Sequence, residues 1–170
     1  MTAEIAYIGL GSNLSQPQQQ LCNALQALAT LPDTQLTGQS ALYRSAPLGP
    51  TDQPSYINAV ARLSTYLSPL ALLDALQAIE QQQGRIRQGE RWGPRTLDLD
   101  IVLFGSQLIC EPRLQVPHYH LQARAFVLYP LAELVAEDFR LPDGRWLRQL
   151  LAECPPEGIE RLTQASIIDL

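Results

Sequence analysis

The chain has 170 residues, of which 46% are hydrophobic, and a formal net charge of −5. This size and composition suit one globular domain with a substantial core. The acidic balance argues against a nucleic-acid-binding surface, which normally shows a broad basic face, and no run reaches the ~18 apolar residues of a membrane span.

The first half of the chain predicts a strand, a helix and two further strands. The apolar run Ile5–Leu10 predicts the first strand. Apolar residues at helical spacing predict a helix over Pro17–Leu31, with Ser15 as its N-cap. Residues 35–44 predict a second strand, and after a proline-rich loop the alternation over Tyr56–Thr65 predicts a third.

The second half predicts a helix, a strand and several shorter elements. Ser68 is the expected N-cap of a helix that Pro69 begins and Gly84 ends. Residues 97–104 predict a fourth strand. The remaining pattern predicts three short elements: a strand pair after Gly105, a helix from about Gln122 that Pro130 interrupts, and a helix near 145–151. The last fifteen or so residues are weakly patterned.

This element order, β-α-β-β-α-β, predicts an α+β fold of the ferredoxin-like type. Such a fold has an antiparallel sheet with both helices on one face, here followed by a C-terminal extension. We expect residues 1–170 to form a single domain, because neither a repeat nor a linker interrupts them. The N-terminus lacks the pattern of a signal peptide, and Cys22, Cys110 and Cys154 lack metal-ligand spacing. We therefore expect reduced thiols and a cytoplasmic location.

Two carboxylates mark the fourth predicted strand. Asp98 and Asp100 are two positions apart, so their side chains share one face of the strand. Val102 makes that face apolar two residues later, so the carboxylates stand at the rim of buried surface, where an unpaired charge is costly. Oxygen ligands without nearby His or Cys favour magnesium over zinc. The alternative is an ordinary solvated strand face.

An arginine cluster lies directly before the two aspartates. Four arginines fall within eleven residues, and only one acidic residue interrupts them. The chain contains no lysine, so any phosphate contact from a basic side chain must use the bidentate guanidinium group. Flanking glycines favour a loop that closes over a substrate, in which Trp92 is either a packing anchor or a lid. The four arginines of this cluster are Arg85, Arg87, Arg91 and Arg95.

Several sequence blocks together form a recognisable pattern. The longest block is the run Arg91–Ile101, which contains both the last two arginines of the cluster and the aspartate pair. The other blocks, in chain order, are Gly9-x-Gly11-Ser12-Asn13, Tyr43–Pro47, Gln53-Pro54-x-Tyr56-x-Asn58, Glu80-x-x-x-Gly84-Arg85-x-Arg87, Pro117-His118 and Arg124-x-Phe126–Leu128-x-Pro130-Leu131. With these blocks the chain resembles the 6-hydroxymethyl-7,8-dihydropterin pyrophosphokinase family of the folate pathway.

The resemblance implies an activity and a set of site residues. The terminal pyrophosphate of ATP would move to the hydroxymethyl oxygen of the pterin, with release of AMP. Asp98 and Asp100 would hold two Mg²⁺ ions, and Arg85 and Arg95 would act with them in catalysis. The implied pterin-binding residues are Ser45, Leu48, Tyr56, Asn58, Trp92 and Phe126. The implied ATP-binding residues are Gln77, Glu80, Arg85, Arg87, Arg91, Trp92, Arg95, Ile101, His118, Tyr119 and Arg124. We expect a monomer with no nucleic-acid or membrane partner.

The chain departs from the family pattern at three places. Ser45-Ala46 replaces a more usual Thr-Pro, Gln88 stands where some relatives carry a basic residue, and His120 stands where an acidic residue is common. Two alternative functions remain open. One is another magnesium-dependent nucleotidyl or phosphoryl transferase. The other is an RNA-recognition motif, which shares the β-α-β-β-α-β order but expects aromatic residues where this strand carries aspartates.

Overall fold

The computed structural model describes residues 2–13, 16–45, 56–83, 97–118, 121–156 and 158–162. Its elements are β1 (Glu4–Ser12), α1 (Pro17–Ala29), β2 (Thr34–Gln39), β3 (Tyr43–Ser45), β4 (Tyr56–Thr65), α2 (Pro69–Gln82), β5 (Asp98–Phe104), β6 (Ile109–Glu111), β7 (Leu114–Val116), a 3₁₀ turn (Leu121–Ala123), α3 (Ala125–Ala132), α4 (Leu147–Glu153) and β8 (Ile159–Arg161). None of the described helices is long and apolar enough to cross a bilayer.

Six strands form one antiparallel sheet: five follow the order β5-β1-β4-β3-β8, and the sixth, β2, pairs with β4. The long strand β4 pairs with β1 along one edge. Along its other edge it pairs with β3 at one end and with β2 at the other. Strands β6 and β7 form a separate hairpin. Strand β8, from the C-terminal part of the chain, pairs with β3 and forms one edge of the large sheet.

Helices cover both faces of the sheet. Because side chains alternate along a strand, Ile8 and Leu10 of β1 pack with α1 and α2, whereas Tyr7 packs with α3 and α4 on the opposite face. The α1/α2 cluster is the larger of the two and continues through alternate residues of β4 and β5, such as Leu63 and Leu99. We call the two sides the α1/α2 face and the α3/α4 face.

The predicted strand over 56–65 and the Ser68 cap are confirmed. The Ser68 hydroxyl accepts a hydrogen bond from the Ala71 N–H at 3.2 Å. The first helix is confirmed but ends at Ala29, two residues before its predicted end. Its N-cap is Gln16, whose φ of 62° places it in the left-handed region, and not the predicted Ser15, which lies outside the described residues.

The single strand predicted over 35–44 is wrong, because two strands, β2 and β3, occupy this range. Ser40 explains the interruption. Its hydroxyl accepts a hydrogen bond from the Val60 N–H at 2.9 Å, while its own N–H donates to the Val60 carbonyl at 2.9 Å. A side chain thus takes the place of a backbone acceptor in the ladder, and regular pairing stops there.

The C-terminal part differs from the prediction in two respects. A separate 3₁₀ turn precedes α3, and α3 continues two residues past Pro130 to Ala132. Proline removes one N–H donor and disfavours continuation of a helix, and α3 ends two residues after it. Strand β8 was not predicted at all, because three residues carry too little periodicity. The predicted strand pair and the terminal helix are confirmed as β6–β7 and α4. The single domain stays a prediction.

Ser68→Ala is expected to lower the free energy of unfolding by about 1 kcal/mol, because the Ala71 N–H at the start of α2 loses its acceptor. Urea denaturation measures the change. Ser106→Ala is the matched control: Ser106 is exposed in the turn after β5, and its replacement should change stability by less than ~0.5 kcal/mol. Equal stability of the two variants would contradict the capping role.

Candidate active site

A row of five residues crosses the sheet on the α3/α4 face. Antiparallel pairing places Asp98 of β5 opposite Gly11 of β1, and Gly11 opposite Asn58 of β4. The row continues to Tyr43 of β3 and Arg161 of β8. Directly paired residues point to the same side of a sheet. The pairing therefore sets a carboxylate and a carboxamide on either side of a glycine, about two strand spacings or roughly 10 Å apart.

Two glycines of β1 keep the floor of a cleft open. A Cβ atom on Gly11 would stand 3.2 Å from Oδ1 of Asn58, and one on Gly9 would stand 3.4 Å from a methyl group of Val102. The Gly9-x-Gly11 motif thus leaves room above the sheet instead of forming a phosphate loop. The first cleft encloses about 480 Å³ and is lined by Gly9, Leu10, Gly11, Tyr56, Asn58, Asp98, Asp100, Val102, His118, Leu121, Arg124 and Val127.

The aspartate pair lies at one end of this cleft. Asp98 is half-buried and Asp100 is exposed. Leu97, which precedes Asp98, and Leu99, which lies between the two aspartates, are buried on the α1/α2 face. The described residues contain no group of three or more His, Cys, Asp or Glu side chains that could enclose a metal ion. Two carboxylates at an open cleft fit Mg²⁺, which keeps water ligands and binds substrate phosphates. They do not fit a closed zinc site.

A buried glutamate fixes the strand that carries the aspartates. Glu80 of α2 is only 5% exposed, and its Oε2 accepts a hydrogen bond from the Leu99 N–H at 2.7 Å. Leu99 is the residue between Asp98 and Asp100. The contact therefore links α2 to the backbone at the point where the two carboxylates leave the strand on its other face. The sequence placed Glu80 among ATP-binding residues, and this role stays a prediction.

The opposite end of the first cleft carries amide and hydroxyl groups. Nδ2 of Asn58 donates a hydrogen bond to Oγ of Ser45 at 2.8 Å. Both residues are buried, with exposed fractions of 4% and 7%. Tyr56 lines the cleft beside them. The structure thus brings three of the residues predicted to contact the pterin together, on neighbouring positions of β3 and β4.

A second cleft adjoins the first and shares Asp100 and His118 with it. The sequence predicted Ile101 and His118 here. It missed several other wall residues, which come from α2 and from the β6–β7 hairpin: Leu73, Glu111, Pro112, Arg113, Leu114 and Gln115. No motif marks them, since their proximity arises only from the packing of that hairpin beside β5.

Arg113 is the cation of this second cleft. Its guanidinium group donates to Asp74 at 2.6 Å and to Gln77 at 3.3 Å. Gln77, a predicted ATP-binding residue, therefore lies beside the second cleft. The Arg113–Asp74 pair is about half exposed, and exposed ion pairs are weak, so an incoming phosphate group can compete for this arginine.

Two predicted residues at the start of α3 lie close to each other. Arg124 lines the first cleft, and its guanidinium carbon stands 5.6 Å from the ring centre of Phe126. Phe126 is not among the described residues that line either cleft, whereas Val127 and Leu121, which the sequence did not single out, line the first. Stacking of Phe126 on the pterin stays a prediction.

The remaining predicted residues lie outside the described part of the chain. These are Leu48, Arg85, Arg87, Arg91, Trp92, Arg95 and Tyr119, together with the departures Ala46, Gln88 and His120.

Comparison with known proteins assigns the chain to a family. The family model for 7,8-dihydro-6-hydroxymethylpterin-pyrophosphokinase (HPPK) matches residues 7–136. The chain belongs to this family. The match spans β1 to α3 and includes both clefts, so the HPPK resemblance of the sequence blocks is confirmed.

Two relatives agree with the HPPK assignment, and a solved structure shares the fold. A 2-amino-4-hydroxy-6-hydroxymethyldihydropteridine pyrophosphokinase of Pseudomonas aeruginosa is 65% identical over 159 residues, which are 94% of this chain and 97% of the relative. Its counterpart in Haemophilus influenzae is 52% identical over 148 residues, 87% of this chain and 91% of the relative. A solved HPPK-DHPS chain of Plasmodium falciparum shares the fold, with a TM-score of 0.73 at 14% identity; the match covers 94% of this chain and 49% of that chain. This chain thus spans about half of the solved one.

Glu80→Ala is expected to lower the free energy of unfolding by about 2 kcal/mol, because the Leu99 N–H loses its buried acceptor. Urea denaturation provides the measurement. Gln81→Ala is the control, since Gln81 is exposed on the same helix and its loss should cost under ~0.5 kcal/mol. A Glu80→Ala protein as stable as the Gln81→Ala protein would show that this hydrogen bond does not hold β5.

Proposed function

We propose that this chain transfers pyrophosphate from ATP to the hydroxymethyl oxygen of 6-hydroxymethyl-7,8-dihydropterin, with release of AMP, in folate synthesis. Membership of the HPPK family and 65% identity to a named pyrophosphokinase support the activity. The structural observation that supports the proposal is the row Asp98–Gly11–Asn58, which sets a carboxylate and a carboxamide on either side of an open floor.

The first cleft suits the pterin. A flat bicyclic ring can lie over Gly11, where no side chain intervenes, and present its donor and acceptor edge to the Asn58 carboxamide. Tyr56 supplies aromatic surface at the same end. Because the aspartates lie roughly 10 Å away across the row, a ring in this position directs its hydroxymethyl group towards them. Ser45 supports recognition by accepting the Asn58 N–H, and Leu48, Trp92 and Phe126 complete the proposed pterin-binding set.

The second cleft suits the nucleotide. Its apolar residues Leu73, Ile101 and Leu114 form a surface for the adenine ring, and Arg113 lies at its edge. Asp100 and His118 border both clefts, so the phosphate chain would run past them towards the pterin. Arg124 adds a positive charge within the first cleft. In this proposal Arg85 and Arg95 bind the phosphates in catalysis, and Arg87, Arg91 and Tyr119 contribute to the nucleotide site.

Asp98 and Asp100 fit the role of magnesium ligands, and we propose two Mg²⁺ ions there. When bound, such ions neutralise the triphosphate and favour in-line displacement at phosphorus. The protein's own contribution is positioning: the aspartates define where the phosphates lie, Asn58 orients the acceptor, and the arginines stabilise negative charge as the bond between the α and β phosphates breaks. No side chain forms a covalent intermediate in this scheme.

The finer fold class and the state of the protein are also proposals. The strand order β5-β1-β4-β2 with α1 and α2 on one face supports a ferredoxin-like core. The thiols of Cys22, Cys110 and Cys154 are all free, which agrees with the reduced cysteines expected of a cytoplasmic protein. We expect a monomer in solution, which light scattering coupled to size-exclusion chromatography would measure directly.

Asp98→Asn and Asp100→Asn are each expected to lower kcat for AMP release at least ~100-fold. A neutral amide lacks the negative charge that would hold Mg²⁺ beside the phosphates. Circular dichroism should show the parent fold in both variants. Asp138→Asn changes the same functional group at an exposed position that lines neither described cleft and should keep the parent rate. Parent-level AMP release by either site variant would remove that residue from the mechanism.

Arg113→Gln is expected to raise KM for ATP about fivefold with little change in KM for the pterin, since roughly 1 kcal/mol of ionic hydrogen bonding is lost in the second cleft. Steady-state kinetics with each substrate varied in turn provide the test. Arg44→Gln removes another exposed, ion-paired arginine that lines neither described cleft and should leave both constants unchanged. A rise in the pterin constant alone would exclude the second cleft as the nucleotide site.

A further inference from the structure

Glu133, the residue that follows α3, joins three segments of the chain. Its Oε1 accepts a hydrogen bond from the Ala41 N–H at 2.9 Å, just before β3. Its Oε2 accepts from the Tyr43 hydroxyl in β3 and from Nε of Arg161 in β8 at 3.1 Å. The carboxylate therefore fastens β3 and β8 to the end of α3. We call these four residues the Glu133 network.

The ionisation of the network agrees with this arrangement. Burial on its own would raise the pKa of Glu133, but hydrogen bonds from Tyr43, Ala41 and Arg161 outweigh it and hold that pKa below its usual value. Burial and the adjacent carboxylate raise the pKa of Tyr43, so its hydroxyl keeps its proton and remains a donor. The charged carboxylate and its three donors are thus mutually stabilising at neutral pH.

The network lies next to the end of the first cleft that carries Asn58. Tyr43 is paired directly with Asn58 across β3 and β4, in the same row that leads to Asp98. Two residues further along β3, Ser45 accepts the Asn58 N–H. The hydrogen bond to the Asn58 carboxamide and the backbone pairing beside Asn58 therefore both come from β3, a strand of only three residues.

So short a strand depends on its neighbours for its position. β3 pairs with β4 on one side and with β8 on the other, and α3 reaches it through Glu133. Glu133 itself lines neither described cleft, so it has no part in binding substrate directly. Its contacts hold Tyr43 directly, and Ser45 follows two residues later on the same short strand.

We propose that Glu133 is a positioning residue for pterin recognition, acting through Tyr43 and Ser45 on the Asn58 carboxamide. This role rests on the proposed function, because it assumes that the end of the first cleft at Asn58 receives the pterin. It requires that disturbing the network weakens binding of the pterin while binding of the nucleotide and the chemical step stay intact.

The test measures binding and turnover separately in the full chain. Calorimetry gives Kd for 6-hydroxymethyl-7,8-dihydropterin and for α,β-methylene-ATP with Mg²⁺, whose bridging carbon prevents cleavage at the reacting bond. AMP release gives kcat and both KM values. The variants are Glu133→Ala, Glu133→Gln and Arg161→Gln. The controls are Glu137→Gln, an exposed glutamate four residues later, and Arg44→Gln, which breaks the exposed Arg44–Glu160 pair of the same two strands.

We expect Glu133→Ala to raise Kd and KM for the pterin about tenfold, with the nucleotide constants and kcat within twofold of the parent. Glu133→Gln should raise the pterin constants only about threefold, because its amide oxygen still accepts the Ala41 N–H. Arg161→Gln should have a similar, smaller effect, and it lies on an exposed edge where folding is not at risk. Both controls should match the parent.

Unchanged pterin affinity in Glu133→Ala and Arg161→Gln would overturn the proposal. An equal loss of pterin and nucleotide affinity would also overturn it, because that pattern indicates general destabilisation. The proposed function is tested by the parent protein: if the parent binds the pterin but releases no AMP, the activity is wrong, and the calorimetric comparison still decides the positioning role.

Discussion

The register of β1 between β4 and β5 decides where every candidate functional side chain lies. In the observed register, Gly9 and Gly11 lie between the aspartates of β5 and the carboxamide of β4. If β5 slipped by one residue relative to β1, Asp98 and Asp100 would turn towards the apolar helices and their charges would be buried. The register is held by the α1/α2 face, where Ile8 and Leu10 are fully or almost fully buried. The hydrophobic core therefore sets the geometry of the polar site on the opposite side.

The two faces of the same strands perform different tasks. Leu99 and Ile101 of β5, and Leu97 just before it, contribute to the core, while Asp98 and Asp100 between them line the cleft. Period-two alternation makes this possible, since consecutive residues point in opposite directions. The same alternation couples the tasks, because any movement of the core face moves the carboxylates as well. The hydrogen bond from the backbone of Leu99 to Glu80 limits such movement.

Sequence reasoning succeeded where a signal is local and failed where it depends on tertiary contacts. The ten alternating residues of β4 and the cap at Ser68 are visible in the chain itself, and both are confirmed. The division of β2 from β3 depends on a hydroxyl that pairs with a distant strand, so no short pattern announces it. The aspartate pair was recognisable from its spacing. The walls of the second cleft were not, because Leu73 and Arg113 meet only after α2 and the β6–β7 hairpin have packed.

Strand β8 adds a consequence for the way the molecule reaches its final form. A separation of 116 residues divides Arg44 from its partner Glu160, so one side of β3 can be covered only after synthesis has passed residue 160. Contacts at such separation form slowly and leave an intermediate with an unpaired strand edge. Exposed edges recruit other chains. A chain truncated before residue 159 would lack β8. The edge of β3 would then be unpaired, and the sheet would be prone to self-association.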